Sequence, residues 1–106
     1  MADITITRDD DGRHGRYTAR IAGIDAEAEL TYVHRGAGRI SADHTRAPTA
    51  LRGTGVAAAL VERLVADARA QGWQIDPVCS YIAARYAKNP DWQDVMTVPP
   101  GKSPAG

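Results

Sequence analysis

The spacing of hydrophobic residues changes once along the chain, and this change constrains the fold class more than any other feature. Between residues 4 and 47, short runs alternate apolar with polar residues and are separated by segments rich in Gly and Asp. Over residues 54–71, apolar residues instead recur at helical spacing along one stripe. Strands followed by helices predict an α+β fold in which the main helix covers one face of a sheet.

The alternating part of the sequence predicts four short strands joined by tight turns. The expected strands cover residues 4–8, 16–21, 26–34 and 39–47. The expected turns cover residues 9–12, 22–25 and 35–38. Consecutive strands with such short connections are typical of an antiparallel meander.

The second half of the chain predicts a helix, a strand and a further helix. The long helix stops at Gly72, residues 73–79 form a fifth strand interrupted by Pro77, and residues 80–88 form a short helix. We therefore expect an antiparallel sheet of about five to six strands, with one long helix after strand 4 and a short helix after strand 5. Residues 1–97 are expected to form one domain, and the Pro- and Gly-rich residues 98–106 a disordered tail.

Composition limits the function classes that remain. The 106 residues carry 13 basic and 13 acidic side chains, which argues against a nucleic-acid or anionic membrane partner, since both need clustered basic charge. No stretch reaches the roughly 18 apolar residues of a membrane span. The single cysteine, Cys79, cannot form an internal disulfide, so a cytoplasmic location is expected. The three scattered histidines predict no metal site, and we expect a monomer or weak dimer.

Two glycines stand immediately before the long helix, in the sequence LRGTGVAA of residues 51–58. Glycine lets the backbone approach a ligand closely, and the first turn of a helix offers unpaired N–H groups to an anion. This combination suits a pyrophosphate, with Arg52 as a charged contact. A P-loop is excluded because no Lys-Ser or Lys-Thr pair follows the glycines. The alternative is that Gly53 and Gly55 only make a tight connection into the helix.

Three segments together resemble a known family. Arg52-x-x-Gly55-x-Ala57 fits the (Gln/Arg)-x-x-Gly-x-(Gly/Ala) motif of the GCN5-related N-acetyltransferases. The segment DPVCSY of residues 76–81, followed by NPDW at 89–92, looks like a small subgroup, the YjdJ-type domains, and His44-Thr45-x-x-Pro48 resembles one of its strands. The resemblance covers residues 4–96 and implies a minimal form of this acetyltransferase fold, with acetyl-CoA as the cofactor.

The family resemblance also implies where the cofactor lies. Strands 4 and 5 splay apart, the pantetheine arm occupies the gap, and the pyrophosphate rests on the turn at residues 52–57. The implied cofactor-binding residues are Arg52, Gly53, Thr54, Gly55, Val56, Ala57, Cys79, Tyr81 and Asn89. The acceptor is implied to be an amine, on a small molecule or a protein, which the sequence does not identify.

The candidates for catalysis lie on the fourth and fifth strands and in the short second helix. Cys79 ends the fifth strand near the expected thioester and can act as nucleophile, as proton donor or as pocket lining. Tyr86 follows Cys79 by seven residues, the family's spacing for a tyrosine that protonates the leaving thiolate; the alternative is an inward-packed helix residue. His44 or Asp43 is a candidate base, and strand alternation predicts that they face opposite sides. Arg46 stands where the subgroup usually has a glutamate.

Two functions therefore remain in view. The first is an acetyl-CoA-dependent N-acetyltransferase, and the alternative is a module that binds CoA or acetyl-CoA with little or no turnover. A third interpretation, a small structural domain whose glycines only build a turn, is disfavoured by the combined motifs. The sequence does not separate the first two, because a fold and a cofactor site do not establish turnover.

Overall fold

The computed structural model describes residues 3–102 and contains one five-stranded sheet in the order β1-β2-β3-β4-β5. The strands are β1 (Ile4–Asp10), β2 (His14–Ile21), β3 (Glu27–Gly36), β4 (Arg39–Arg46) and β5 (Gln74–Pro77). The helices are α1 (Val56–Gln71) and α2 (Ser80–Lys88), and two short 3-10 helices cover Thr49–Leu51 and Pro90–Val95. The α+β class and the placement of a helix after β4 and another after β5 are confirmed.

The sheet combines an antiparallel meander with one parallel pairing. Strands β1 to β4 pair antiparallel in sequence order, but β5 pairs parallel with β4. The expectation of a wholly antiparallel sheet is therefore wrong. The reason is that α1 returns the chain to the start of β4, and a crossover through a helix joins parallel strands. Beyond β5, Met96 adds an isolated parallel bridge to Ile75.

The hydrophobic core lies on one face of the sheet. Helix α1 buries its apolar stripe against β2 and β3, and helix α2 packs beside α1 with Ile82 and Tyr86 inward. The alternation in β2 and β3 is as expected from the sequence, because Tyr17 and Leu30 are fully buried while their direct neighbours are not. No helix among the described residues is long and apolar enough to cross a membrane.

Strand β1 extends further than the sequence indicates, because Asp10 takes part in a polar network. The Tyr32 hydroxyl donates to Asp10 Oδ2 at 2.7 Å, His34 Nε2 lies 2.8 Å from the same oxygen, and the Gly12 N–H donates to Oδ1. Burial of the Asp10 carboxyl opposes its ionisation, but these hydrogen bonds outweigh the burial and lower its pKa to about 2.

This depressed pKa predicts an acid-sensitive contribution to stability. Since the unfolded chain ionises Asp10 near pH 3.8, the network stabilises the fold above that pH and loses its contribution as the pH falls toward 2. We expect Asp10→Asn to lower the free energy of unfolding by about 1–2 kcal/mol at pH 7 and to flatten the decline between pH 4 and pH 2. Urea denaturation over this pH range measures both effects. The exposed Asp25 provides the control, and an equally flat acid limb in Asp25→Asn would contradict the assignment.

Candidate functional site

The glycine turn forms the N-terminal end of α1 through two left-handed residues. Gly53 has φ 78° and Gly55, the N-cap of α1, has φ 84°. Non-glycine residues rarely adopt such angles. A Cβ added to either glycine would meet no atom within 4 Å, so the space in front of the turn is open. The Thr54 side chain turns back to hydrogen-bond the Leu51 carbonyl, which holds the turn in shape.

The first turn of α1 presents unused donors to this space. The first hydrogen bond of the helix runs from the Ala59 N–H to the Gly55 carbonyl, so the preceding N–H groups have no acceptor inside the helix. No side chain caps them and no acidic residue lies in the first turn, so the positive end of the helix dipole is not neutralised locally. A cavity of about 250 Å³ lies here, lined by Ala47, Leu51, Arg52, Gly53, Gly55, Val56, Ala57, Ala58 and Tyr81.

Strands β4 and β5 separate immediately beside this cavity. Their pairing ends at Ala42 and Pro77, with a final hydrogen bond from the Cys79 N–H to the Ala42 carbonyl at 2.9 Å. Beyond this point β4 continues to Arg46 while the chain of β5 turns into α2. Partly buried Cys79 stands at the divergence, and its thiol lies 3.6 Å from the Thr45 hydroxyl. The gap therefore opens between Thr45 and the start of α2.

A β-bulge at Asp43 changes which way β4 points its side chains. Thr31 pairs with His44 and Tyr32 with Ala42, so Asp43 is an extra residue without a partner on β3. His44 consequently shares the uncovered face of the sheet with Thr31, and Asp43 lines a concavity on that face. The expectation that Asp43 and His44 face opposite sides is wrong, because strict alternation holds only in a strand without a bulge.

The concavity on the uncovered face measures about 680 Å³. Its wall runs from the β1–β2 hairpin across β3 to Asp43 at the bulge; the lining includes Asp9, His14, Arg16, Thr31, Val33 and Asp43. Thr45 pairs with buried Leu30 and therefore lies on the helix-covered face with Cys79. The divergence of β4 and β5 thus separates a cysteine on one side of the sheet from the His44 imidazole and the Asp43 carboxylate on the other.

Tyr86 lies in the core and not at the glycine turn. Its side chain has no solvent exposure, and its hydroxyl donates to the Val98 carbonyl at 2.7 Å. Burial raises the pKa of this hydroxyl. These contacts favour the inward-packed alternative for Tyr86. The hydrogen bond from Tyr86 also holds Val98, the first residue of the expected tail, against the domain. Residues 103–106 of that tail lie outside the described residues.

The structure brings most of the proposed cofactor residues together but leaves Asn89 apart. Arg52, Gly53, Gly55, Val56, Ala57 and Tyr81 line one cavity, with Thr54 inside the same turn. Asn89 follows the other end of α2, where its side-chain amide donates to the Arg85 carbonyl at 2.8 Å. It lines a different cavity, between α1, α2 and the 3-10 segment Pro90–Val95. The hydrogen bond from Asn89 to the Arg85 carbonyl caps the C-terminal end of α2.

Sequence reasoning missed several residues of the site. Thr45 contacts Cys79, and Ala47 and Ala58 line the cavity at the glycine turn. The sequence signal for Thr45 was its place in the segment His44-Thr45-x-x-Pro48, where β4 runs toward the glycine turn. Within residues 3–102, no group of three or more His, Cys, Asp or Glu side chains is placed to hold a metal ion.

The sequence of this chain matches a known protein family over most of its length. A search of curated proteins finds no match. The sequence profile of a family described as GCN5-related N-acetyl-transferase matches residues 16–95. The matched region runs from β2 to the end of the 3-10 segment Pro90–Val95 and contains the glycine turn, the divergence of β4 and β5, and α2. The match spans most of the chain and confirms the resemblance seen in the sequence motifs. The protein belongs to the GCN5-related N-acetyltransferase family.

Proposed function

We propose that the protein is an acetyl-CoA-dependent N-acetyltransferase. The observation that carries the proposal is the uncapped N-terminal turn of α1, which opens onto a cavity beside the divergence of β4 and β5. Family membership supports acetyl transfer in general, and the turn supplies what a pyrophosphate needs: free N–H groups, glycines that admit close approach and the cation of Arg52. The pantetheine arm would then lie along β4 beside the contact of Thr45 with Cys79.

The proposed reaction needs few protein groups. The neutral amine attacks the thioester carbonyl carbon, the C–S bond breaks, and its electron pair leaves on the CoA sulfur. The amine nitrogen releases a proton to water or a base, and the thiolate gains one. Cys79 is proposed as the donor to the thiolate, since it stands at the divergence of β4 and β5 with its thiol beside Thr45. The thiol is then reprotonated from solvent.

The acceptor amine is proposed to approach from the uncovered face. Asp43 and His44 reach that face through the bulge, and the concavity ending at Asp43 is open to solvent from the β1–β2 hairpin onward. Either side chain can accept the amine proton directly or through water. Arg46, opposite Glu29 in the register, occupies the place of the glutamate usual in the subgroup. The acceptor itself stays unassigned.

A second candidate function is a CoA-binding module with little or no turnover. The observation that favours it is Tyr86, whose hydroxyl proton is engaged by Val98 and whose ring is buried. That removes one candidate acid from the gap and leaves Cys79 as the single proposed proton donor to the thiolate. The two functions share the cofactor site, so only a measurement of turnover separates them.

Turnover and the role of Cys79 are tested together. Protein, acetyl-CoA and a panel of amines are incubated, and released CoA and intact protein mass are measured, with an incubation lacking amine as the control. We expect amine-dependent CoA release and no acetylated protein, because the amine attacks directly. Cys79→Ser should bind CoA as the parent does and turn over about 100-fold more slowly, the lower end for loss of a general acid.

Other outcomes would change the assignment. An added acetyl mass that disappears in Cys79→Ala would make Cys79 a nucleophile. Parent-level turnover in Cys79→Ser would reduce it to pocket lining. CoA binding without release of CoA for any amine would favour the binding module over the acetyltransferase.

A further inference from the structure

An arginine on α2 is left with a buried donor unused. The Nε of Arg85 is inaccessible to solvent and has no hydrogen-bond partner, and Arg85 is in no ion pair with any residue between 3 and 102. A buried donor without a partner costs free energy, so such a group calls for an explanation. Nearby Arg69 differs, because two of its nitrogens donate to Asp94.

Arg85 lines a cavity of about 270 Å³ between α1, α2 and the 3-10 segment Pro90–Val95. The opposite wall carries Glu62 and Ala66 of α1, and Trp92 adds an aromatic surface. This cavity lies on the same stripes of the two helices as the cavity at the glycine turn. On α1, Ala58 lines the first cavity and Glu62, one turn later, lines the second.

The same register holds on α2. Tyr81 lines the cavity at the glycine turn, and Arg85 lies one helical turn further, about 6 Å along the axis. The two helices pack against each other, and the first turn of each lines the cavity at the glycine turn. A ligand whose pyrophosphate lies at Gly55 could therefore extend between the two helices toward the second cavity. There a second anionic group of the ligand would meet the unpaired Arg85.

We infer that Arg85 binds the 3′-phosphate of coenzyme A and makes the site selective for CoA over dephospho-CoA. This inference rests on the proposed function, since it assumes that the pyrophosphate occupies the glycine turn. The 3′-phosphate is separated from the pyrophosphate by one ribose, and a phosphate monoester carries close to two negative charges at neutral pH. The guanidinium fork of Arg85 suits such a group. Trp92 and Ala66 offer an apolar wall for the adenine.

Calorimetric titration of CoA and dephospho-CoA at one fixed ionic strength tests the inference. Wild type is expected to bind CoA about tenfold or more tightly than dephospho-CoA, as a charge-assisted hydrogen bond implies. In Arg85→Gln this preference should fall to within about twofold, with the affinity for dephospho-CoA unchanged. Glu62→Gln, which removes a carboxylate from the opposite wall, should keep or widen the preference. Arg13→Gln, the same change of charge at an exposed turn residue, should leave it at the wild-type value.

Each alternative has its own result. If Arg85 serves only to pair with Glu62 in solution, both substitutions lower the melting temperature and neither alters the CoA preference, which overturns the inference alone. If Arg85→Gln keeps the wild-type preference for CoA over dephospho-CoA, the inference is also overturned, while the proposed function stands. Absence of binding by either ligand to wild type overturns the proposed function together with this inference. Should Arg85→Gln fail to fold, Arg85→Lys replaces it, because lysine keeps the charge and loses the guanidinium fork. Arg85→Lys is expected to show a reduced preference for CoA over dephospho-CoA. An undiminished preference counts against the inference.

Discussion

Gly55→Asp is expected to weaken CoA binding strongly while the domain stays folded. The substitution places a carboxylate in the open space in front of the α1 N-terminus, where the pyrophosphate is proposed to lie. Asp tolerates the left-handed conformation better than most residues, so the loss of folding free energy should stay at about 1 kcal/mol. The repulsion and the lost N–H contacts should weaken CoA binding at least about 30-fold, or roughly 2 kcal/mol.

The control for this experiment is another glycine with nearly the same φ angle. Gly23, in the turn between β2 and β3, has φ 85° against 84° for Gly55, and a Cβ there also meets nothing within 4 Å. Gly23→Asp therefore places the same charge on a residue of equally positive φ, away from the cavity. Equal CoA affinity in the two variants would place the pyrophosphate somewhere other than the glycine turn. Thermal melting establishes that both variants fold.

Gly15→Ala is expected to cause the largest loss of stability, because its site has no room for a methyl group. A Cβ at Gly15 would lie 1.9 Å from the Tyr32 ring. That ring cannot move cheaply, since it contacts Tyr17 and Trp73 and its hydroxyl is bonded to Asp10. Overpacking of this kind costs about 3 kcal/mol, which lowers the melting temperature by about 15 °C in a domain of this size.

A double-mutant cycle identifies the cause of this loss. In a Tyr32→Leu background the ring is gone, so Gly15→Ala should cost less than about 1 kcal/mol. An undiminished cost in that background would point to strand conformation and not to the aromatic contact. Chemical denaturation of the four proteins gives the coupling free energy directly.

The sequence was sufficient to predict the elements of the fold, because each rests on local pattern. Alternation in 4–47 and the helical stripe before Gly72 are visible without any long-range information, and Gly72 does end α1 as a left-handed cap. The parallel pairing of β5 was missed, although a strand–helix–strand unit of this length favours it. The extension of β1 to Asp10 was missed because its partners, Tyr32 and His34, lie more than 20 residues away.

The candidate site was predictable only where it is built from residues that are close together in the sequence. The glycine turn is local, so its residues were found from their spacing, and the structure gathers them around one cavity. The bulge at Asp43 depends on the register between β3 and β4, which no local pattern reveals. The buried hydroxyl of Tyr86 depends on a contact with Val98, which sequence reasoning had placed in an unpacked tail. The unpaired donor of Arg85 likewise appears only when α1 and α2 are packed together.

The most direct test of the central claim is the melting temperature of the wild-type protein as CoA and acetyl-CoA are titrated. Ligand at about 100 times its dissociation constant adds about 2.7 kcal/mol to the free energy of unfolding. For a domain of this size we predict a rise of about 13 °C. At the same CoA concentration Gly55→Asp should show a rise of about 4 °C or less, because a 30-fold weaker affinity leaves less than about 1 kcal/mol. A melting temperature that does not move in millimolar CoA or acetyl-CoA would contradict the proposal that the glycine turn binds the cofactor.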